Sequence, residues 1–109
     1  MKPTREQLEL AAKAAGIEGE IRQSSPDNYW FQPVGLKSPW RPHESKTDSF
    51  DLMVACLISP RFSWSGDSVI ALTSRQVPPL RVDFTDYPTV GDAVMAAIFL
   101  CAVEIGRGL

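Results

Sequence analysis

Cysteine, histidine and net charge are all scarce in this sequence. Its 109 residues include two cysteines and one histidine, and its formal net charge is −2. Two cysteines are too few for a disulfide scaffold, and the C-x-x-C spacing of a redox pair is missing. One histidine and two distant cysteines do not supply the ligands of a zinc site. Without a basic excess there is no general electrostatic drive toward nucleic acid. We therefore expect no cofactor, and we do not expect nucleic acid as a partner.

Apolar runs long enough to cross a membrane are also missing. The stretch AVMAAIFLCAV covers residues 93–103, whereas a membrane-spanning helix needs about 20 apolar residues. The opening MKPTREQLEL carries charges where a secretory signal would have its apolar core. These features predict a cytoplasmic protein with no membrane partner. Its length and its ordinary share of apolar and charged residues fit a single domain over residues 1–109.

The clearest helix signals stand near the two ends of the chain. Thr4, followed three residues later by Gln7, forms a capping box, and the apolar spacing after it predicts a helix over 5–15. Thr89 and the apolar run that follows predict a last helix from 90 to about 105.

A third helix is predicted in the middle of the chain, where apolar residues recur at i, i+3, i+4, i+7 and i+8. These residues are Phe50, Met53, Val54, Leu57 and Ile58. A single stripe of this kind predicts that they face the core. Pro60 is expected to end the helix because it cannot continue the backbone hydrogen bonding.

The remaining regular segments are typical of short strands. Residues 17–22 and 29–34 flank a Ser-, Pro-, Asp- and Asn-rich turn, which predicts a β-hairpin. Three further strands are predicted over 61–64, 68–74 and 80–84, the last with strict alternation of apolar and charged residues. Together these elements predict an α+β fold. Its small, mainly antiparallel sheet is covered by α-helices in an alpha-beta-alpha sandwich-like arrangement.

The last predicted helix is apolar around most of its surface. Four residues extend its apolar stripe: Met95, Phe99, Leu100 and Val103. One small sheet covers only about one face of a helix, so these side chains need a second cover. Either the Ala-rich first helix packs beside them, or a second copy of the chain does. In the second case the four residues form the interface of a homodimer.

The residues that most often carry catalysis do not form a recognisable set. His43 and Ser45 lie too close along one loop to meet as base and nucleophile, and no oxyanion hole is indicated. Cys56 and Cys101 each stand in a predicted helix among apolar neighbours, which is typical of buried, inert thiols. We therefore predict that the protein is not an enzyme.

Aromatic and arginine residues outside the predicted helices are the better candidates for function. The candidate surface consists of Tyr29, Trp40, Arg41, Arg61 and Trp64. If they share one face, they form a stacking and cation–π surface for a nucleotide, another small ligand or a protein partner. The alternative is that strand aromatics pack in the core. Trp40 is the strongest single candidate, because it stands in a loop near two prolines.

The segment SPWRPHESKTDSFDLMVACLI resembles the W-N-P-…-D-…-A-L-x-L signature of the phage ABA-sandwich domain family. The opening ELAAKAAG and the close AVEIGRGL are also similar to that family. Arg41 stands where the family pattern usually has Asn, so no role of that Asn is carried over. The resemblance implies a small phage or prophage protein with a sheet between helices, and it implies no reaction.

The function that follows from the resemblance is contact with another molecule. We predict a non-enzymatic accessory protein that acts in the bacterial host cytoplasm by binding a host protein. Inhibition of a bacterial defence system is one form of such binding. The alternative prediction is a module that sequesters a nucleotide or other small ligand at the aromatic and arginine surface.

Overall fold

The computed structural model describes residues 1–109, arranged as three α-helices and five β-strands. In chain order they are α1 (Arg5–Ala15), β1 (Gly19–Ser25), β2 (Asn28–Pro33), α2 (Lys46–Ala55), β3 (Ile58–Phe62), β4 (Ser68–Thr73), β5 (Leu80–Asp83) and α3 (Val90–Arg107), with one short 3-10 turn between β5 and α3. The predicted α+β class is confirmed. Instead of one sheet there are two antiparallel ones, a β1-β2 hairpin and a three-stranded sheet in the order β3-β4-β5.

Local capping chemistry defines where the first and last helices begin. The Thr4 hydroxyl accepts a hydrogen bond from the Gln7 amide at 3.1 Å, and the Gln7 side chain accepts one from the Thr4 amide at 2.9 Å. The predicted capping box is therefore confirmed. In the same way the Thr89 hydroxyl accepts from the Asp92 amide at 3.1 Å and begins α3.

The predicted middle helix is present, but the prediction of which face it buries is wrong. α2 ends at Ala55, and the side that it buries carries Ser49 and Leu52. Phe50 and Val54 of the predicted core stripe lie in solvent instead. The reason is tertiary: the helix is short and packs on α3 and β3 with only one side.

The end of the predicted stripe leaves the helix altogether. Leu57 adopts a left-handed conformation with φ 55°, which costs a residue with a Cβ about 1–2 kcal/mol, and it is exposed. Ile58 then begins β3, so Pro60 lies within a strand rather than at a helix end. A proline is tolerated there because β3 is an edge strand.

The core is built around α3. α1 packs along α3, and α3 also contacts all three strands of the larger sheet. A Cβ atom on Gly106 would overlap the Leu10 carbonyl oxygen of α1 and lie 2.7 Å from the carbonyl carbon. Glycine at this position therefore allows the two helices to approach closely.

The larger sheet is covered on one face. Val69 pairs with Val82 across β4 and β5, and both side chains are buried. Arg61 and Arg81 both pair with Ile70 on the opposite face, and both are exposed. The interior therefore lies between this sheet and the α1–α3 pair.

The chain itself supplies the second cover that α3 needs. Phe99 has no exposed surface, Met95 and Val103 are also buried, and Leu100 is partly buried against the core. The burial of Met95, Phe99, Leu100 and Val103 therefore fits the first of the two predicted alternatives, cover within the chain, rather than a homodimer interface. The buried face of α1 is rich in alanine and packs along α3, whereas Met95 lies on the side of α3 that faces α2 and β3.

Candidate functional site

Trp40, the strongest candidate from sequence, lies in the core. Its side chain is only 6% exposed. Its amide donates a hydrogen bond to the Phe31 carbonyl oxygen at 2.9 Å, which fixes the loop to the edge of β2. The two rings meet edge-on with centroids 5.7 Å apart. The indole thus anchors the loop and is not a free contact surface.

The five candidate aromatic and arginine residues do not form one site. Tyr29, Trp40 and Arg41 line a cleft of about 170 Å³ beside His43, which we call the His43 cleft. Arg61 lies on β3 and Trp64 in the turn that follows it, and both are exposed. Three of the five candidate residues therefore share one cleft, which Arg61 and Trp64 do not line.

Polar groups in the His43 cleft are largely paired within the chain. The Arg41 guanidinium contacts the Glu44 carboxylate at 2.9 Å. The Tyr29 hydroxyl donates to the Pro3 carbonyl oxygen at 2.7 Å, and the Lys2 ammonium lies 5.5 Å from the centre of the Tyr29 ring. A ligand in this cleft would have to compete with these contacts.

The His43 side chain is partly buried and packs against the core. Its ring meets Phe99 edge-on, with centroids 6.0 Å apart, and its Nδ1 is buried without a hydrogen-bond partner. Burial lowers the pKa of His43, with Glu44 opposing and Arg41 reinforcing the shift. The Ser45 hydroxyl accepts from the Asp48 amide at 3.3 Å and caps α2.

This environment predicts acid sensitivity of the fold. Because the pKa of His43 is lower in the folded chain than its ordinary 6.5, the unfolded chain binds the proton more tightly. Stability is therefore full above about pH 6.5 and falls as the pH drops toward the folded-state pKa. Urea unfolding between about pH 7 and pH 5 measures this loss. We expect His43→Gln to reduce the dependence of the free energy of unfolding on pH. An equal dependence in that variant would show that His43 is not its cause.

The two cysteines are buried and free. Burial raises the pKa of the Cys56 thiol, with nearby Arg75 opposing it. For Cys101, burial together with Cys56 and Glu104 raises the pKa to about 11. Both thiols therefore stay protonated at neutral pH, where a nucleophile would need the thiolate. The prediction that they are buried is confirmed.

A groove that sequence reasoning missed opens between α2, β3 and the first half of α3. We call it the apolar groove, and it has a volume of about 380 Å³. Its lining residues are Lys46, Ser49, Phe50, Met53, Pro60, Phe62, Val90, Gly91, Val94, Met95 and Ile98. Among these, only Lys46 and Ser49 have polar side chains, and the Ser49 hydroxyl is buried without a partner. The groove therefore offers dispersion and hydrophobic contact with very little hydrogen bonding.

Large apolar side chains stand exposed in and around this groove. Phe50 is 60% exposed and Phe62 is 66% exposed, although the ring of Phe62 also meets Phe84 edge-on. Val90 is half exposed in the groove, and exposed Val54 continues the side of α2 that carries Phe50. Isolated exposed apolar residues are ordinary, whereas contiguous apolar patches of more than a few hundred Å² are typical of interaction sites.

One signal in the sequence could have identified this surface. At helical spacing, α2 and the two residues after it carry two apolar sides, one with Leu52 and Cys56 and one with Phe50, Val54 and Leu57. A short helix that packs on one neighbour can bury only one of them. The two-sided pattern therefore predicts an exposed apolar surface, even though it does not say which side stays outside.

No group of three or more His, Cys, Asp or Glu side chains lies close enough to hold a metal ion. None of the helices combines the length and hydropathy that crossing a bilayer requires. No protein-family model matches this chain, and neither curated proteins nor solved structures are significantly similar to it. The similarity to the phage ABA-sandwich family therefore stays a prediction from the residues quoted above.

Proposed function

We propose that this chain is a non-enzymatic binding protein whose apolar groove takes an apolar segment of a partner protein. The observation that carries the proposal is the exposure of Phe50 and Phe62 at the walls of the groove. Burying an aromatic or aliphatic side chain of this size is worth roughly 1.5–3 kcal/mol. A partner that covers both rings gains a substantial part of the free energy that a specific complex needs.

The shape of the groove favours an amphipathic partner segment. Its walls come from two helices, and Pro60 and Phe62 of β3 complete the lining. Grooves of this kind take the apolar face of a helix, whose side chains at i, i+3 and i+4 enter together. The partner segment that we propose therefore carries apolar residues at helical spacing.

The resemblance to the phage family supports a host protein as the partner. In that setting the chain acts in the bacterial cytoplasm and blocks a host surface by occupying it. Inhibition of a bacterial defence system is the form of this activity that we propose.

A nucleotide-sequestering function has one observation in its favour. Tyr29, Trp40 and Arg41 line the His43 cleft together. The cleft has a volume of about 170 Å³, whereas sites for small molecules usually measure about 300–1,000 Å³. The cleft is thus smaller than the usual ligand site, so we rank this function second.

The proposal is tested by capture from a bacterial host lysate with wild-type protein and two variants. We expect the double variant Phe50→Ser/Phe62→Ser to lose at least about tenfold in affinity for the captured protein, because two apolar contacts of about 1 kcal/mol or more each are removed. Both side chains are more than half exposed, so the fold is expected to persist.

The matched control is Leu36→Ser, which removes an exposed apolar side chain from the loop between β2 and α2. It should bind the partner as the wild type does. Equal binding by the double variant, equal loss by the control, or no stable partner at all would each contradict the proposal.

A further inference from the structure

We propose that the apolar groove also binds a medium-chain fatty acid such as decanoate, with the carboxylate beside Lys46 and Ser49 and the alkyl chain along the apolar lining. The proposal goes beyond the proposed function, because it assigns a small ligand to the groove and needs no partner protein. The groove volume of about 380 Å³ lies within the range of about 300–1,000 Å³ that is usual for small-molecule sites.

The lining that α2 contributes changes from polar to apolar along the helix. Lys46, Ser49, Phe50 and Met53 follow one another at i, i+3, i+4 and i+7, so they form one stripe. The first two residues of the stripe carry a charge and a hydroxyl, whereas the last two are apolar. A ligand that lies along this stripe is therefore expected to be polar at one end only.

α3 contributes only glycine and apolar residues to the groove. Its lining runs from Val90 to Ile98, about 12 Å at 1.5 Å per residue, which is about the length of an extended decanoate chain. Pro60 and Phe62 of β3 complete the lining. An alkyl chain can therefore contact apolar side chains from three elements.

The charge of Lys46 is not neutralised within the chain. All six ion pairs of the protein use arginine, and no acidic residue lines the groove. Asp48, in the first turn of α2, instead accepts a hydrogen bond from the Arg41 amide at 2.9 Å. Lys46 is also the first residue of α2, where the positive end of the helix dipole favours an anion. Both effects attract an anionic head group to this part of the groove.

Ser49 supplies a hydrogen-bond donor that the fold leaves unused. The residue is only 3% exposed, and its hydroxyl has no hydrogen-bond partner within the chain. Buried polar groups without a partner are rare in native proteins because they lower the stability. Residues three apart on a helix are neighbours, so one carboxylate can accept from the Ser49 hydroxyl and also contact the Lys46 ammonium.

Calorimetric titration of the purified protein at neutral pH tests the proposal. We expect saturable binding of one decanoate per chain. Octanoate is two CH₂ groups shorter and should bind about 4- to 16-fold more weakly, because each buried CH₂ group changes the affinity about two- to fourfold. Octylammonium, a chain of similar length with the opposite charge, should bind at least about tenfold more weakly than octanoate because Lys46 repels it.

Two variants test the head-group contacts. Lys46→Gln and Ser49→Ala should each weaken decanoate binding about fivefold. The matched control is Lys37→Gln, which removes an exposed lysine from the loop between β2 and α2 and should bind decanoate as the wild type does. Ser49→Ala should also raise the melting temperature of the unliganded protein by a few degrees, because it removes the unpaired hydroxyl. That rise excludes unfolding as the cause of its weaker binding.

The proposal and the proposed function can fail separately, because the titrations involve no host protein. No saturable binding up to about 1 mM decanoate, equal affinity for octanoate and octylammonium, or wild-type binding by Lys46→Gln and Ser49→Ala would each overturn the proposal. Decanoate binding that is unchanged in Phe50→Ser/Phe62→Ser would place the ligand outside the groove and would overturn it as well. Capture of a host protein by the wild type then decides the proposed function independently.

Discussion

Gly106→Ala is expected to lower the free energy of unfolding by about 2 kcal/mol. The added methyl group would overlap the Leu10 carbonyl oxygen of α1 and crowd the backbone atoms beside it. Backbone cannot turn aside as a flexible side chain does, so α1 and α3 must separate. Overpacking of this kind costs about 3 kcal/mol, and the better helix propensity of alanine returns only about 1 kcal/mol. Thermal unfolding should shift down by about 10 °C.

Gly91→Ala is the matched control in the same helix. A Cβ atom there meets nothing closer than the Thr89 hydroxyl oxygen at 3.8 Å, so only the gain in helix propensity remains. We expect this variant to be up to about 1 kcal/mol more stable than the wild type. If Gly106→Ala and Gly91→Ala change the free energy of unfolding equally, that result would contradict the close contact between α1 and α3.

Phe99→Ala is expected to cost more, about 3–5 kcal/mol, because it removes a ring with no exposed surface from the centre of the core. The loss is large against a total stability of about 5–15 kcal/mol for a domain. Chemical denaturation with a far-UV signal measures it. The residual cavity would also face His43, which packs on the ring.

Leu100→Ala provides the comparison for this variant. Leu100 follows Phe99 in α3 but is only partly buried, so its truncation should cost clearly less. Comparing Phe99→Ala with Leu100→Ala also tests whether Phe99 belongs to the core or to an interface. If Phe99→Ala changed the oligomeric state but left the stability of the folded chain unchanged, Phe99 would belong to an interface after all.

The sequence predicts the elements whose signals are local. The caps at Thr4 and Thr89 depend on residues three positions away, and both predicted helices begin where expected. The β1-β2 hairpin follows in the same way from the turn residues between its strands. In each case the deciding contact lies within a few residues, so no knowledge of the packing is needed.

The sequence does not predict the features that depend on packing between elements distant in the chain. Which side of α2 is buried depends on α3 and β3, and the apolar pattern of the helix does not contain that information. Trp40 enters the core because its backbone pairs with Phe31, nine residues earlier. The apolar groove combines Phe50, Phe62 and Val94, which come from three different elements. No spacing rule connects such residues before the fold brings them together.

The central place of α3 has a consequence for synthesis of the protein. Of the elements within residues 1–109, α3 is synthesised last, yet α1 and the larger sheet both bury their apolar faces against it. Until α3 emerges, α1 and the larger sheet lack the helix on which they pack. Their apolar faces stay exposed, and chaperones can bind them. Folding therefore completes after elongation has passed the last helix, and truncation within α3 should yield a chain that proteases remove.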